Sequence, residues 1–125
     1  MGLWGSYECS ITMKYYSEEA TEPLRLRFEK KVLRWPKVSA RKMFGCPCYQ
    51  AGGKLFAFLV TNGIVITRLA QADRETLSRK YQATPFRSGR KVVQKWVRLP
   101  IEQMGDLDRV MRFVRKSYGS ALLEA

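Results

Sequence analysis

The sequence contains no histidine, only three cysteines, and 11 acidic residues against 23 basic ones in a chain of 125 residues. Without histidine, neither a Cys–His nor a Ser–His pair can form within the chain, so the usual base for nucleophilic catalysis is missing. A phosphate-binding glycine loop is missing as well, because Gly52-Gly53 falls in a predicted hairpin and Ser88-Gly89 in a predicted turn. These absences predict a protein that is not an enzyme and that binds no cofactor.

The sequence also lacks an apolar run long enough to cross a membrane, and residues 1–16 lack the continuous apolar segment of a signal peptide. An odd number of cysteines is typical of reduced thiols in a cytosolic protein. We therefore expect a cytoplasmic protein without a membrane partner. The length predicts one stand-alone domain at residues 17–125, preceded by an N-terminal segment at 1–16 that is either a strand or a loose end.

Cys46 and Cys48 form the one pair of residues that suggests metal or redox chemistry. A zinc site needs four nitrogen or sulfur ligands, and only Cys9 remains as a third thiol. The spacing also differs from the Cys-x-x-Cys motif of redox proteins. We interpret both thiols as small core residues and expect no metal site.

The net charge of +12 is the strongest sign of a binding partner. Residues 90–98 form a predicted strand in which cations alternate with an aromatic side chain, an arrangement that suits phosphate contact and base stacking. The competing interpretation is an edge strand whose charges prevent aggregation, with the tryptophan in the core or in a dimer contact. The candidate nucleic-acid residues are those of this strand and of the last helix: Arg90, Lys91, Lys95, Trp96, Arg98, Arg109, Arg112 and Arg115.

Two turn signals, Gly52-Gly53 and Asn62-Gly63, divide residues 43–69 into three predicted antiparallel strands. The two-residue loops pair Tyr49 with Phe56 and Val60 with Val65. The central strand is apolar on both faces, with Phe56, Phe58 and Val60 predicted on one of them.

Both faces of this sheet therefore need a cover. Helices can cover one face, and the N-terminal segment or a second subunit must cover the other. We expect a homodimer that buries Phe56, Phe58 or the N-terminal segment.

Helical spacing of apolar residues predicts three helices. The first begins with a cap at Ser17 or Thr21 and ends before Pro36. The second covers residues 71–82 with Asp73 as its cap, and the third covers about 106–118 with Gly119 just beyond its end. Thr84-Pro85-Phe86 is a predicted turn. The sequence thus predicts a two-layer α+β domain, an antiparallel β-meander sheet with helices packed mainly on one face.

The segment Arg41-Lys42-Met43-Phe44-Gly45, predicted to open the first strand, resembles a motif of the TfoX N-terminal domain family, named for a bacterial regulator of competence. The resemblance covers about residues 38–118, and Cys46-Pro47-Cys48-Tyr49 departs from the family's usual glycine-rich continuation. It implies a fold similar to that of type III secretion chaperones and a non-enzymatic regulatory role. The motif residues are Arg41, Met43, Phe44, Gly45, Phe56, Ala57, Pro85, Phe86 and Pro100.

Two functions follow as hypotheses. The first is a small basic regulatory or protein-interaction module, homodimeric, with an unidentified regulatory protein as its partner. The alternative is a nonspecific nucleic-acid-binding module that uses the basic strand at 90–98. Salt separates the two, because phosphate contacts weaken steeply as salt rises and an apolar interface does not.

Overall fold

The computed structural model describes residues 18–124 except 44, 62 and 89. The predicted strand or loose end at residues 1–16, the cap at Ser17 and the motif residue Phe44 lie outside the described residues. In chain order the elements are α1 (Glu18–Val32), β1 (Val38–Met43), β2 (Cys46–Ala51), β3 (Lys54–Val60), β4 (Gly63–Ile66), α2 (Gln71–Tyr81), β5 (Thr84–Ser88), β6 (Lys91–Pro100) and α3 (Met104–Glu124).

The strands form one antiparallel sheet in the order β1-β2-β3-β4-β6-β5. α3 packs on β3, β2 and β4, and α2 packs on β6. α1 joins this helical layer through Phe28, whose ring lies 4.9 Å from that of Tyr49 in β2. The predicted two-layer α+β fold is confirmed. No helix within the described residues is long and apolar enough to span a lipid bilayer.

The meander has one strand more than predicted, because residues 41–43 end a strand that begins at Val38, whereas they were predicted to begin one. β1 pairs with β2 along its whole length, from Val38 opposite Ala51 to Met43 opposite Cys46. Gly45 lies in the tight connection with a φ of 77°. That backbone conformation favours glycine, which accounts for the glycine of the motif.

The turn at Gly52-Gly53 has the predicted geometry, since the two φ values are 59° and 83°. Beyond it the predicted register is wrong. A β-bulge between Tyr49 and Gln50 places Tyr49 opposite Ala57, where a regular ladder would place it opposite Phe56. Phe56 and Phe58 therefore do not share a face, and their rings join different clusters.

The contacts of the two phenylalanine rings confirm this separation. The Phe56 ring packs 5.6 Å from Tyr118 of α3, on the helical side of the sheet. The Phe58 ring packs 5.2 Å from Phe86 of β5. The central strand is nevertheless apolar on both faces as predicted, with residues 56–60 all buried.

The second turn is also shifted, because Val60 pairs with Gly63 and not with Val65. Because side chains alternate with a period of two, this shift of two residues leaves the side chains of β4 on the face predicted from the β3–β4 pairing. Gly63 opens β4, and a Cβ atom there would lie 2.8 Å from the carbonyl oxygen of Leu99 in β6. Glycine thus permits the close approach of two strands at this position.

The predicted helices are present, but several details at their ends are wrong. Ala70 is the N-cap of α2, and Asp73 instead forms an ion pair with Lys116 (3.0 Å). α3 continues through Gly119 to Glu124, because the apolar stripe of the helix extends to the fully buried Ala121. Residues 84–88 form the edge strand β5, where proline is tolerated.

A buried serine connects α3 to the sheet at the bulge. The hydroxyl of Ser117 donates to the carbonyl of Phe56 (2.7 Å) and accepts from the backbone N–H of Arg68 (3.0 Å). Both of these backbone groups therefore have a hydrogen-bond partner next to the irregular ladder.

Candidate interaction surfaces

The cations predicted on the strand at residues 90–98 differ in their exposure to solvent. Arg90, Lys91 and Lys95 are exposed, whereas Arg98 is half-buried and donates through Nη2 to the carbonyl of Thr61 (3.2 Å). Arg98 therefore has a structural contact as well as a charge. Arg87 of β5, which pairs with Val92, is exposed as well, and we call the exposed cations along the β5–β6 hairpin the hairpin surface: Arg87, Arg90, Lys91 and Lys95.

Trp96 lies beneath this surface in an aromatic cluster. The indole is half-buried, with its ring 5.5 Å from that of Phe58 and 6.0 Å from that of Phe86. The register of β5 with β6 shifts between Pro85, which pairs with Val97, and Phe86, which pairs with Val93, so β6 bulges at residues 94–96 where the indole meets the cluster. Trp96 thus contributes to packing, and its stacking on a base stays a prediction.

The three arginines predicted on α3 are exposed but point in different directions. Arg115 lies over the Trp35 ring at 4.8 Å, next to the end of α1. Arg112 lies over the Phe113 ring at 4.7 Å, and Arg109 lines a cleft beside Tyr81 at the end of α2. The helix that packs on β6 is α2, whereas Arg115 lies beside the end of α1. Arg115 therefore belongs to a different surface from the β6 cations.

The structure contains a second basic surface that sequence reasoning missed. Four cations of α1 and its following turn line a groove of about 280 Å³, and Arg115 of α3 lies beside its end. The signal was present as basic residues at helical spacing on the outer side of α1, but the contribution of α3 depends on tertiary packing. We call these residues the helical surface: Arg27, Lys30, Lys31, Arg34 and Arg115.

Asp108 of α3 joins the two helices at this surface. Its carboxylate accepts from Arg27 at 2.9 Å and forms an ion pair with Lys31 at 3.3 Å. The hydrogen bond from Arg27, assisted by Lys31, lowers the pKa of Asp108 below its ordinary value against a smaller opposing effect of desolvation. The carboxylate stays ionised and fixes two of the cations, while Lys30 and Arg34 have no ion pair within the described residues.

The two thiols of β2 are buried, as expected of core residues. Burial, together with the neighbouring Cys48, raises the pKa of the Cys46 thiol to about 11. Burial also raises the pKa of Cys48, although a backbone hydrogen bond from Arg41 opposes the shift. Both thiols are therefore protonated near neutral pH and are poor nucleophiles. Within the described residues, no group of three or more Cys, Asp or Glu side chains lies close enough to hold a metal ion.

The motif residues that the structure describes lie in strands, in a turn and in an aromatic cluster. Arg41 and Met43 end β1 and Gly45 forms the turn, while Phe56 and Ala57 lie at the bulge of β3. Phe86 belongs to the aromatic cluster around Phe58 and Trp96. Pro85 and Pro100 lie in β5 and at the end of β6. The described motif residues therefore account for parts of the fold, and none of them belongs to the hairpin surface or to the helical surface.

Comparison with known proteins identifies one family. No curated protein and no solved structure matches the chain. The profile of one protein family, described as the TfoX N-terminal domain, matches residues 30–121. The matched segment includes the six strands of the described residues and nearly all of α3. The chain therefore belongs to the TfoX N-terminal domain family.

Proposed function

We propose that the chain is a small, basic, non-enzymatic regulatory module that acts by binding an acidic protein partner. Family membership supports a regulatory role. The observation that carries the proposal is the helical surface, where five cations lie on two packed helices and the carboxylate of Asp108 pairs with Arg27 and Lys31. Lys30 and Arg34 have no ion pair within the described residues, and this excess of positive charge suits a partner with clustered carboxylates.

The state of the thiols supports a role without catalysis. Cys46 is the more strongly shifted of the two described thiols, and with a pKa of about 11 only a very small fraction is ionised at neutral pH. With histidine absent from the sequence, the chain offers no base to activate either thiol in the usual way. Binding therefore explains the described residues better than nucleophilic chemistry does.

The proposal is tested by capturing a partner from cell extract on the immobilised chain, with and without nuclease treatment. We expect one protein to be retained after nuclease treatment and to bind again as a purified component, with an affinity that falls as salt rises. If capture disappears after nuclease treatment, nucleic acid forms the bridge and the protein-binding proposal is wrong.

A nonspecific nucleic-acid-binding module is the second candidate. It is favoured by the exposed Arg90, Lys91 and Lys95, which lie on one extended hairpin, and by the net charge of +12. Gel shifts with single- and double-stranded DNA and RNA test it. Binding that falls steeply with salt and that is weakened by Lys91→Glu/Lys95→Glu would support it, and the absence of any complex at low salt would rule it out.

The homodimer and the cytoplasmic location are further proposals. Phe56 and Phe58 are almost fully buried within the single chain, at 0% and 2% exposure, so a dimer would have to use other residues. Light scattering of the purified chain tests self-association, and a monomer at high concentration would contradict it. Cys46 and Cys48, buried without a disulfide, are compatible with a reducing compartment.

A further inference from the structure

The outer side of α1 combines apolar and basic groups in a line. Leu26 and Leu33 are 54% and 45% exposed and lie seven residues apart, so they share one side of the helix. Lys30 is exposed between them. The N–H of Leu33 donates to the carbonyl of Glu29 (3.0 Å), which extends the helical geometry past the last residue of α1 and keeps the line straight.

The opposite side of α1 fixes this line in space. Leu24, Phe28 and Val32 are buried at 4% exposure or less, and Tyr49 donates from its hydroxyl to Glu29 (2.8 Å). A docking partner would therefore meet a preorganised surface, which reduces the entropy lost on binding.

We propose that this face of α1 is the docking site for an acidic amphipathic helix of the protein partner, an inference that rests on the proposed function. The two leucines, two turns apart, match apolar residues at the same spacing on a second helix. The described lining of the groove is Arg27, Lys30, Lys31 and Arg34, of which Asp108 pairs with the first and third, and the remaining positive charge matches carboxylates that flank such a stripe.

Other partners match this face less well. A nucleic acid would place phosphates against Leu26 and Leu33 and would gain nothing from their apolar surface. An anionic membrane would need a broader apolar side than two leucines separated by Lys30. An acidic helix uses both the leucines and the cations, and so the combination favours it.

The test uses a synthetic peptide of about four helical turns with leucines at i, i+3 and i+7, glutamates flanking them and alanines elsewhere, so that the helix is not lost to repulsion between carboxylates. A scrambled peptide of the same composition is the control, and affinity is measured by calorimetry against the full chain. We expect Leu26→Gln/Leu33→Gln and Lys30→Glu/Arg34→Glu each to weaken binding at least about tenfold. The matched charge reversal on the hairpin surface, Arg87→Glu/Lys91→Glu, should leave the affinity within about twofold.

Each outcome decides the proposal. All these substitutions are at exposed positions, and an unchanged melting temperature confirms that the variants are folded. Absence of peptide binding, equal binding of the scrambled peptide, or equal weakening by the hairpin variant would overturn the docking site. So would a captured partner that binds the α1 variants as tightly as the wild type, although the proposed function would then survive. If the chain captures no protein and α1 instead binds DNA or anionic vesicles, both the docking site and the proposed function are wrong.

Discussion

The helical surface and the hairpin surface carry similar charge but present it differently. On the helical surface the cations stand on a helix whose inner side is part of the core, with Leu26 and Leu33 among them and Asp108 holding two of them. On the hairpin surface Arg90, Lys91 and Lys95 lie along a strand pair whose aromatic residues face the interior. The comparison teaches that net charge alone does not define a partner, because the apolar groups between the charges decide what fits.

The largest expected effect lies beneath the helical surface, at Trp35. Its ring packs 4.9 Å from Tyr118 and 6.3 Å from Phe56, and Arg115 covers it. Trp35→Ala should lower the free energy of unfolding by about 3–5 kcal/mol, measured by urea denaturation. Trp35→Phe is the control and should retain most of the stability. A loss below about 1 kcal/mol for the alanine variant would mean that the helical surface has no fixed aromatic support.

The next largest effect is a change of stability with pH at Cys46, which lies in neither surface. It tests whether this thiol ionises easily enough in the folded chain to act as a nucleophile. Its folded pKa of about 11 exceeds the unfolded value of 9.0, so its contribution to stability is complete below pH 9 and is lost as the pH rises toward 11. In that interval the wild type should lose about 1.4 kcal/mol per pH unit more than Cys46→Ala.

The quantity to measure is the slope of the free energy of unfolding against pH, compared between the wild type and Cys46→Ala. The comparison cancels the ionisation of other groups and the constant cost of the lost side chain. Urea denaturation across the alkaline range supplies it. Parallel slopes would show that the thiol ionises as readily in the folded chain as in the unfolded one, and the argument against nucleophilic chemistry would then fail.

The smallest effect compares one cation from each surface. Arg115→Gln removes the guanidinium from the Trp35 and Tyr118 rings, which lie 4.8 and 5.3 Å from it, and should cost about 0.5–1 kcal/mol of stability. Lys95→Gln, at an exposed site on the bulge, should change stability by less than about 0.5 kcal/mol. Equal effects in urea denaturation would remove the structural distinction between the two surfaces.

Local patterns in the sequence predicted those parts of the fold that depend on local interactions. The apolar spacing of Leu24, Phe28 and Val32 predicts α1, and Gly52-Gly53 predicts its turn, because helix periodicity and left-handed backbone are properties of neighbouring residues. The bulge at Phe56 was not predictable in this way. The Phe56 carbonyl at the bulge accepts a hydrogen bond from Ser117, a contact between residues that are distant in the chain.

The candidate site was predicted less well than the fold, also for a tertiary reason. The strand at 90–98 shows its cations in one short segment, whereas the helical surface forms only when Arg115 meets the end of α1 and Asp108 meets Arg27. The extension of α3 through Gly119 was missed because burial of Ala121 outweighs the local preference of glycine for a helix end.

The central claim is that the chain binds an acidic protein segment through its helical surface. The most direct test is to titrate the acidic amphipathic peptide into isotopically labelled protein and to follow the backbone amide chemical shifts. The account predicts that the shifts cluster at residues 26–34 and around Arg115, with the hairpin at 87–95 unaffected. Shifts concentrated on the hairpin, or spread evenly over every cation, would contradict it.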